Sequence, residues 1–198
     1  VIQGLPHVSP EDTIREVKRL TGRMVAINLE PATIKNNDEE SVWNLTTGRQ
    51  ATVDNARKAA DMGVDMIVLT GNPGVGVDNE AIMQALSKLK DAVGDRVILT
   101  AGKMHASGII SEAGEKILTE KDIVDFIDAG ADVILLPAPG TVPGITMEYA
   151  GKLIKKAHEK GALAMTTIGT SQEGADEATV RQIALMCKMA GADINHIG

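Results

Sequence analysis

The sequence holds very little aromatic character and almost no cysteine. It has 198 residues with one tryptophan, one tyrosine, one phenylalanine and one cysteine. Three scattered rings (Trp43, Phe126, Tyr149) do not make a stacking platform for single-stranded nucleic acid. The lone thiol, Cys187, cannot close a disulfide within the chain, which fits a cytoplasmic setting. It lies in an apolar helical stretch, where a buried thiol behaves as a small hydrophobe. Basic charge is also in short supply: 20 Lys and Arg stand against 27 Asp and Glu, a net charge of −7. Sequence-independent nucleic-acid binding needs a basic face, so no nucleic-acid partner is expected. No apolar run approaches the roughly 18 residues of a spanning helix. The candidates, such as Met66-Ile67-Val68-Leu69, are strand-sized, so no membrane partner is expected either. Secretory and lipidation motifs are not visible. H-E-x-x-H, paired cysteines, a P-loop and G-x-S-x-G are all missing, which leaves zinc hydrolysis and serine nucleophiles without support.

What is present is alternation. Amphipathic, helix-like segments run over Pro10–Thr21, Thr52–Met62, Asn79–Val93, Glu120–Ala129, Thr146–Lys160 and Glu177–Ala190. Ser9, Asp78, Thr119 and Thr146 stand where N-caps belong. Between the helices lie short runs rich in Val, Ile, Leu and Met: Met24–Leu29, Met66–Thr70, Val97–Thr100, Val133–Leu136, Ala162–Ile168 and Ala192–Ile197. Near-continuous apolar runs suit parallel strands covered on both faces. The junctions also alternate. Gly63-Val64-Asp65, Gly130-Ala131-Asp132 and Gly191-Ala192-Asp193 interleave with junctions at Gly22, Gly94 and Gly161. That pattern predicts a structural repeat of two βα units.

Six βα units fit either a doubly wound sheet or a (β/α)8 TIM barrel. A doubly wound sheet places G-x-G-x-x-G after its first strand. The nearest segment here, Gly71-Asn72-Pro73-Gly74-Val75-Gly76, does not match, so the barrel is favoured. A whole barrel takes about 250 residues. Residues 1–198 therefore read as a single barrel domain, incomplete in this chain and cut at both ends, with strands 3–8 visible. Unpaired strand edges invite pairing with another chain, so a homo-oligomer is expected. The longest connection, Pro31–Ala51, carries Trp43; loops of this length are lids or disordered segments.

Barrel chemistry gathers at the C-terminal ends of the strands. Glu30 is the only acidic residue immediately at such an end, as a general base or metal ligand, or as a plain salt-bridge partner. Lys103 and His105 share one strand end at spacing two, which on an extended strand points both to one side. Lysine there suits phosphate binding, protonation of a leaving oxygen or Schiff-base formation. Histidine suits proton shuttling or metal binding. Their bland reading is a Lys103–Glu30 pair and a packed loop histidine. Asn28, Thr70, Asn72 and His196 are candidate substrate-orienting residues. Gly71–Gly76 supplies backbone N–H groups before a helix. Gly169, Thr170 and Ser171 follow the seventh strand, where barrels often hold phosphate; the alternative is an ordinary helix cap.

The strings Asn28-Leu29-Glu30-Pro31, Thr70-Gly71-Asn72-Pro73-Gly74, Ala101-Gly102-Lys103-Met104-His105, Gly140-Thr141-Val142-Pro143-Gly144 and Thr167-Ile168-Gly169-Thr170-Ser171-Gln172-Glu173 resemble those of a bacterial family of TIM-barrel proteins. Members of that family often carry the label haloacid-dehalogenase-like hydrolase, which implies a D-x-D-x-[TV] motif; this sequence has none. The strand-end layout is also loosely similar to phosphate-binding barrels of the indole-glycerol-phosphate synthase type and to the phosphoenolpyruvate mutase and isocitrate lyase group. The resulting expectation is a lyase or isomerase working by acid–base chemistry on a small phosphorylated metabolite. The alternatives are a metal-assisted hydrolase, with a divalent metal on Glu30 and His105, and a non-catalytic metabolite-binding barrel. No motif demands a cofactor.

Overall fold

A computed structural model describes residues 8–32, 45–71, 76–105, 114–169 and 175–198. Six helices and six strands alternate along it. The helices are α1 (Thr13–Thr21), α2 (Val53–Asp61), α3 (Asn79–Val93), α4 (Glu120–Asp128), α5 (Met147–Glu159) and α6 (Glu177–Ala190). The strands are β1 (Ala26–Leu29), β2 (Met66–Leu69), β3 (Ile98–Gly102), β4 (Val133–Pro137), β5 (Leu163–Ile168) and β6 (Ile194–Ile197). All neighbours pair in parallel, in the order β1-β2-β3-β4-β5-β6. A doubly wound sheet reverses its strand order at a switch point. This order never reverses, which is the winding of a barrel.

The strand pleat sorts the core into two clusters. Ile67, Leu69, Leu99, Ala101, Ile134, Leu136, Ala164 and Ile168 point outward and pack under the helices with Phe126, Leu86 and Leu153. The alternate residues Met66, Val133, Leu135 and Met165 form a smaller cluster, joined by Val68, Ile98, Met104 and Ile194. Period-two alternation places these on the concave face. In register they form layers, one of which runs Asn28, Val68, Thr100, Val133 and Leu163. Among the described residues, β1 and β6 each pair on one side only. Among the described residues, the exposed large apolar side chains are Leu20, Met24, Leu163, Leu185, Met189 and Ile197. All lie on α1, the lead-in to β1, β5, α6 or β6, at or next to those two edges.

Helix starts follow their caps. Asp78, Thr119, Thr146, Thr52 and Asp176 each accept an N–H from the first turn, and Thr119 with Asp122 completes a reciprocal capping box. Ser9 makes the bond of an N-cap, but ahead of the regular helix. It bonds the Asp12 N–H and carboxylate, and α1 begins at Thr13, later than the sequence pattern predicts.

The Gly-x-Asp junctions share one set of contacts. Asp65 accepts the Val25 N–H at 2.8 Å, Asp132 the Leu99 N–H at 2.9 Å and Asp193 the Ala164 N–H at 2.8 Å. A basic side chain from the helix before the preceding strand completes each clasp: Lys18 at 2.7 Å, Lys90 at 3.1 Å and His158 at 2.8 Å. The device enters β2, β4 and β6 and skips the others, so the two-unit repeat of the sequence is physical. It ties each pair of strands at the N-terminal end, the stability side of a barrel.

One clasp makes a pH prediction. The Lys18 ammonium bonded to Asp65, with the Val25 amide, holds the Asp65 carboxyl below the usual carboxylate range. The stability this contributes is present above the unfolded value of about 3.9 and is lost as pH falls through the folded value. Asp65→Asn should therefore cost about 1.5–3 kcal/mol at pH 7 and flatten the acid limb. Urea midpoints at pH 7 and pH 3 check this; parallel loss of stability in both proteins on acidification would refute it.

Candidate active site

The C-terminal ends of the strands carry the polar groups. Glu30 follows β1, Thr70 follows β2, Lys103 follows β3 and Gly169 follows β5. Parallel pairing puts all four at one rim of the sheet. Glu30 and Lys103 stand two strands apart, about 10 Å at the usual interstrand spacing. Both are buried, Glu30 at 6% and Lys103 at 5% exposure, and Thr70 is buried with them. Ionisable side chains are seldom taken out of water without a partner or a task.

Glu30 is the best-defined of these groups. Its carboxylate Oε1 accepts a charge-assisted hydrogen bond from Arg49 Nη2. Its backbone is held as well: the Glu30 N–H donates to Arg49 O at 2.7 Å, and the Ala51 N–H donates to Glu30 O at 3.0 Å. The other carboxylate oxygen lies over Gly71, 3.1 Å from where a Cβ at that glycine would stand. Gly71 is thus the residue that leaves room for Glu30.

Lys103 is placed by a close backbone approach. A Cβ on Gly102 would stand 1.8 Å from the Leu135 carbonyl oxygen, so only glycine brings β3 this near β4. Strand β3 runs to Gly102, two residues beyond the apolar run in the sequence. Lys103 and His105 therefore follow the strand, and the spacing-two rule for strand side chains does not govern them. Lys103 is buried and His105 half-buried, and both are engaged in interactions.

The other predicted residues are partly gathered. Asn28 lies on β1 and His196 on β6, both on the concave face by pleat and register and both exposed at the two edges. His196 is level with Thr167, which is buried and bonds Leu136 O at 3.2 Å. A Cβ on Gly169 would meet nothing within 4 Å, so its backbone is approachable. Asn72, Thr170 and Ser171 lie outside the described residues, as do Trp43 and residues 72–75 of the glycine-rich turn. Cys187 is fully buried on α6, and burial pushes its thiol pKa up, the setting of an inert core residue.

Two further residues belong here. Arg49 was missed because its partner Glu30 is 19 positions away, across the long connection; only the shared strand end brings them together. Thr100 is fully buried on the concave face, and its hydroxyl has no hydrogen-bond partner among the described residues. An unsatisfied buried hydroxyl costs on the order of 1–3 kcal/mol. A polar residue inside an apolar strand run was the only sequence signal for it. As for a metal, Glu30 and His105 were the candidate donors. Among the described residues no group of three or more His, Cys, Asp or Glu is placed to hold one.

A family model described as a domain of unknown function, DUF7916, matches residues 1–198. The chain belongs to this family. No curated protein matches the sequence. Among solved structures, the chain is similar to a deoxyribose phosphate aldolase from Aeropyrum pernix, reported as a unique tetramer. The identity is 16% and the TM-score 0.57, over 95% of this chain and 70% of the aldolase. It is also similar to a dihydrodipicolinate synthase from Oceanobacillus iheyensis, at 17% identity and a TM-score of 0.51, over 93% of this chain and 70% of that one. At such identities the likeness is one of fold. It agrees with the unreversed strand order: this member of the DUF7916 family is an α/β chain with the architecture of an incomplete TIM barrel. Neither the family description nor these neighbours supports the dehalogenase-like label. Among the described residues, no helix is long and apolar enough to cross a membrane.

Proposed function

We propose that this protein is a lyase or isomerase that acts on a small phosphorylated metabolite by acid–base chemistry at the C-terminal rim of the barrel. The observation that carries the reading is the burial of two opposite ionisable groups, Glu30 and Lys103, at the same rim of one parallel sheet. Such placement is what active sites of this architecture use. Lys103 is the acid or charge stabiliser: its ammonium donates to the oxygen on which negative charge develops when a proton or a carbon leaving group departs the neighbouring carbon. Glu30 is the base, acting through the oxygen not bonded to Arg49. His105, on the same strand end as Lys103, relays protons. Asn28, Thr70, Asn72 and His196 orient the substrate, and Gly169, Thr170 and Ser171 receive its phosphate. The likeness to an aldolase named for a phosphorylated sugar supports this choice of chemistry over hydrolysis. The open strand edges and their exposed apolar side chains, together with the tetramer reported for that aldolase, support a homo-oligomer.

A thermal-shift screen of the purified protein tests the reading, with matched phosphorylated and non-phosphorylated hydroxy- and keto-acids and aldehydes. A phosphorylated compound should raise the melting temperature more than its unphosphorylated partner and be turned over. Shifts confined to unphosphorylated compounds, or tight binding with no turnover, would reject the proposal.

A further inference from the structure

Arg49 stands outside every motif of the sequence, yet the fold builds a mount for it. Its segment makes a single tight helical turn, Thr47–Arg49. Asn55, in the first turn of α2, braces that turn with two hydrogen bonds, to Thr47 O at 2.7 Å and Gln50 O at 2.9 Å. The Asn55 N–H is itself bonded by the Thr52 cap. Gln50 then forms a parallel bridge with Glu30, and Arg49 O and the Ala51 N–H satisfy the Glu30 backbone. The arginine is therefore fixed through its own backbone and through two neighbouring elements. Its side chain is asymmetric in the pair: Glu30 is 7% exposed and Arg49 is 63% exposed.

That asymmetry is the informative feature. A guanidinium carries its N–H donors in a rigid planar fork that matches an oxyanion two bonds at a time. The bond to Glu30 occupies one edge, and most of the group faces solvent above the end of β1. A pair built only for stability gains little from an exposed partner, and burying Glu30 costs desolvation that a hydrophobic residue would avoid. Both costs make sense when the carboxylate serves as the seat of the arginine.

We propose that Arg49 is the anchor for an oxyanion of the substrate, a carboxylate or a phosphate, with Glu30 as its orienting counter-ion. The inference rests on the reading of this rim as an active site for an anionic metabolite. It adds a second anion-binding point, at the end of β1, to the one proposed at Gly169–Ser171 beyond β5. The substrate class narrows accordingly to compounds with two anionic groups, such as phosphorylated carboxylic acids.

Calorimetric titration of the protein with inorganic phosphate and, separately, with pyruvate tests the anchor. Wild type should bind at least one of them, and the anion whose binding depends on Arg49 tells whether the guanidinium holds phosphate or carboxylate. Arg49→Gln should weaken that binding about tenfold or more, with Arg49→Lys in between. Arg49→Gln leaves Glu30 buried without its cation, so the double variant Glu30→Gln with Arg49→Gln is included to remove the buried charge. It should recover melting temperature without recovering anion affinity. Wild-type affinity in either glutamine variant would overturn the anchor and leave the active-site reading standing. Failure of wild type to bind either anion would overturn the anchor and the anionic-substrate reading together.

Discussion

Gly102→Ala is expected to destabilise the protein by at least about 3 kcal/mol, at or beyond the upper end of ordinary overpacking. The added methyl would lie 1.8 Å from the Leu135 carbonyl oxygen, 2.7 Å from its carbonyl carbon and 3.0 Å from its Cα. These are backbone atoms, and no rotamer change moves them away. Strand β4 has little freedom to retreat, since it pairs with β3 on one side and β5 on the other and its Leu136 carbonyl also accepts from Thr167. The loss therefore falls on the β3–β4 pairing, directly beneath Lys103. Urea denaturation followed by circular dichroism checks it. Gly169→Ala is the internal control: a Cβ there meets nothing within 4 Å, so its midpoint should stay within about 0.5 kcal/mol of wild type. Equal midpoints for the two variants would show that β3 and β4 do not approach as described.

Lys103→Met should reduce kcat by about 10²–10⁴-fold on the metabolite identified by the ligand screen, with a much smaller change in KM. Methionine keeps an unbranched chain of similar length and removes the charge, so the packing of a side chain that is 5% exposed is largely preserved. The interaction lost is one the proposed mechanism uses as charge develops, which is why kcat takes the effect. Lys103→Arg retains the positive charge but presents a planar fork in place of a compact ammonium, and it should not restore the rate. Steady-state kinetics beside a far-ultraviolet spectrum of each variant distinguish this from misfolding. A folded Lys103→Met protein within a few-fold of wild-type kcat would remove Lys103 from the chemistry and leave Glu30 alone at the rim.

Much of the architecture was legible in the sequence. Helices α3 and α6 match the predicted Asn79–Val93 and Glu177–Ala190 residue for residue, and the other helices and strands agree to within a few residues. Asp78, Thr119 and Thr146 cap as their positions imply. The boundaries were less legible. Ser9 accepts the Asp12 N–H as an N-cap does, yet residues 10–12 form a turn and regular helix begins only at Thr13. Strand β3 extends past Thr100 because pairing with β4 continues to Gly102 and Leu135.

The sequence by itself determined the alternation of helix and strand, the caps and the two-unit rhythm of the Gly-x-Asp junctions. Those features rest on contacts within one helical turn or on a period of two along a strand. Only the tertiary structure decided which strand-end groups are buried, that Arg49 sits on Glu30, that Thr100 is left without a hydrogen-bond partner among the described residues, and that each clasp aspartate reaches back to the preceding strand. The reason is distance along the chain. Arg49 and Glu30 are 19 residues apart, and Lys18 and Asp65 are 47 apart. No local propensity encodes such a meeting, which exists only once the parallel register has set the strand ends side by side.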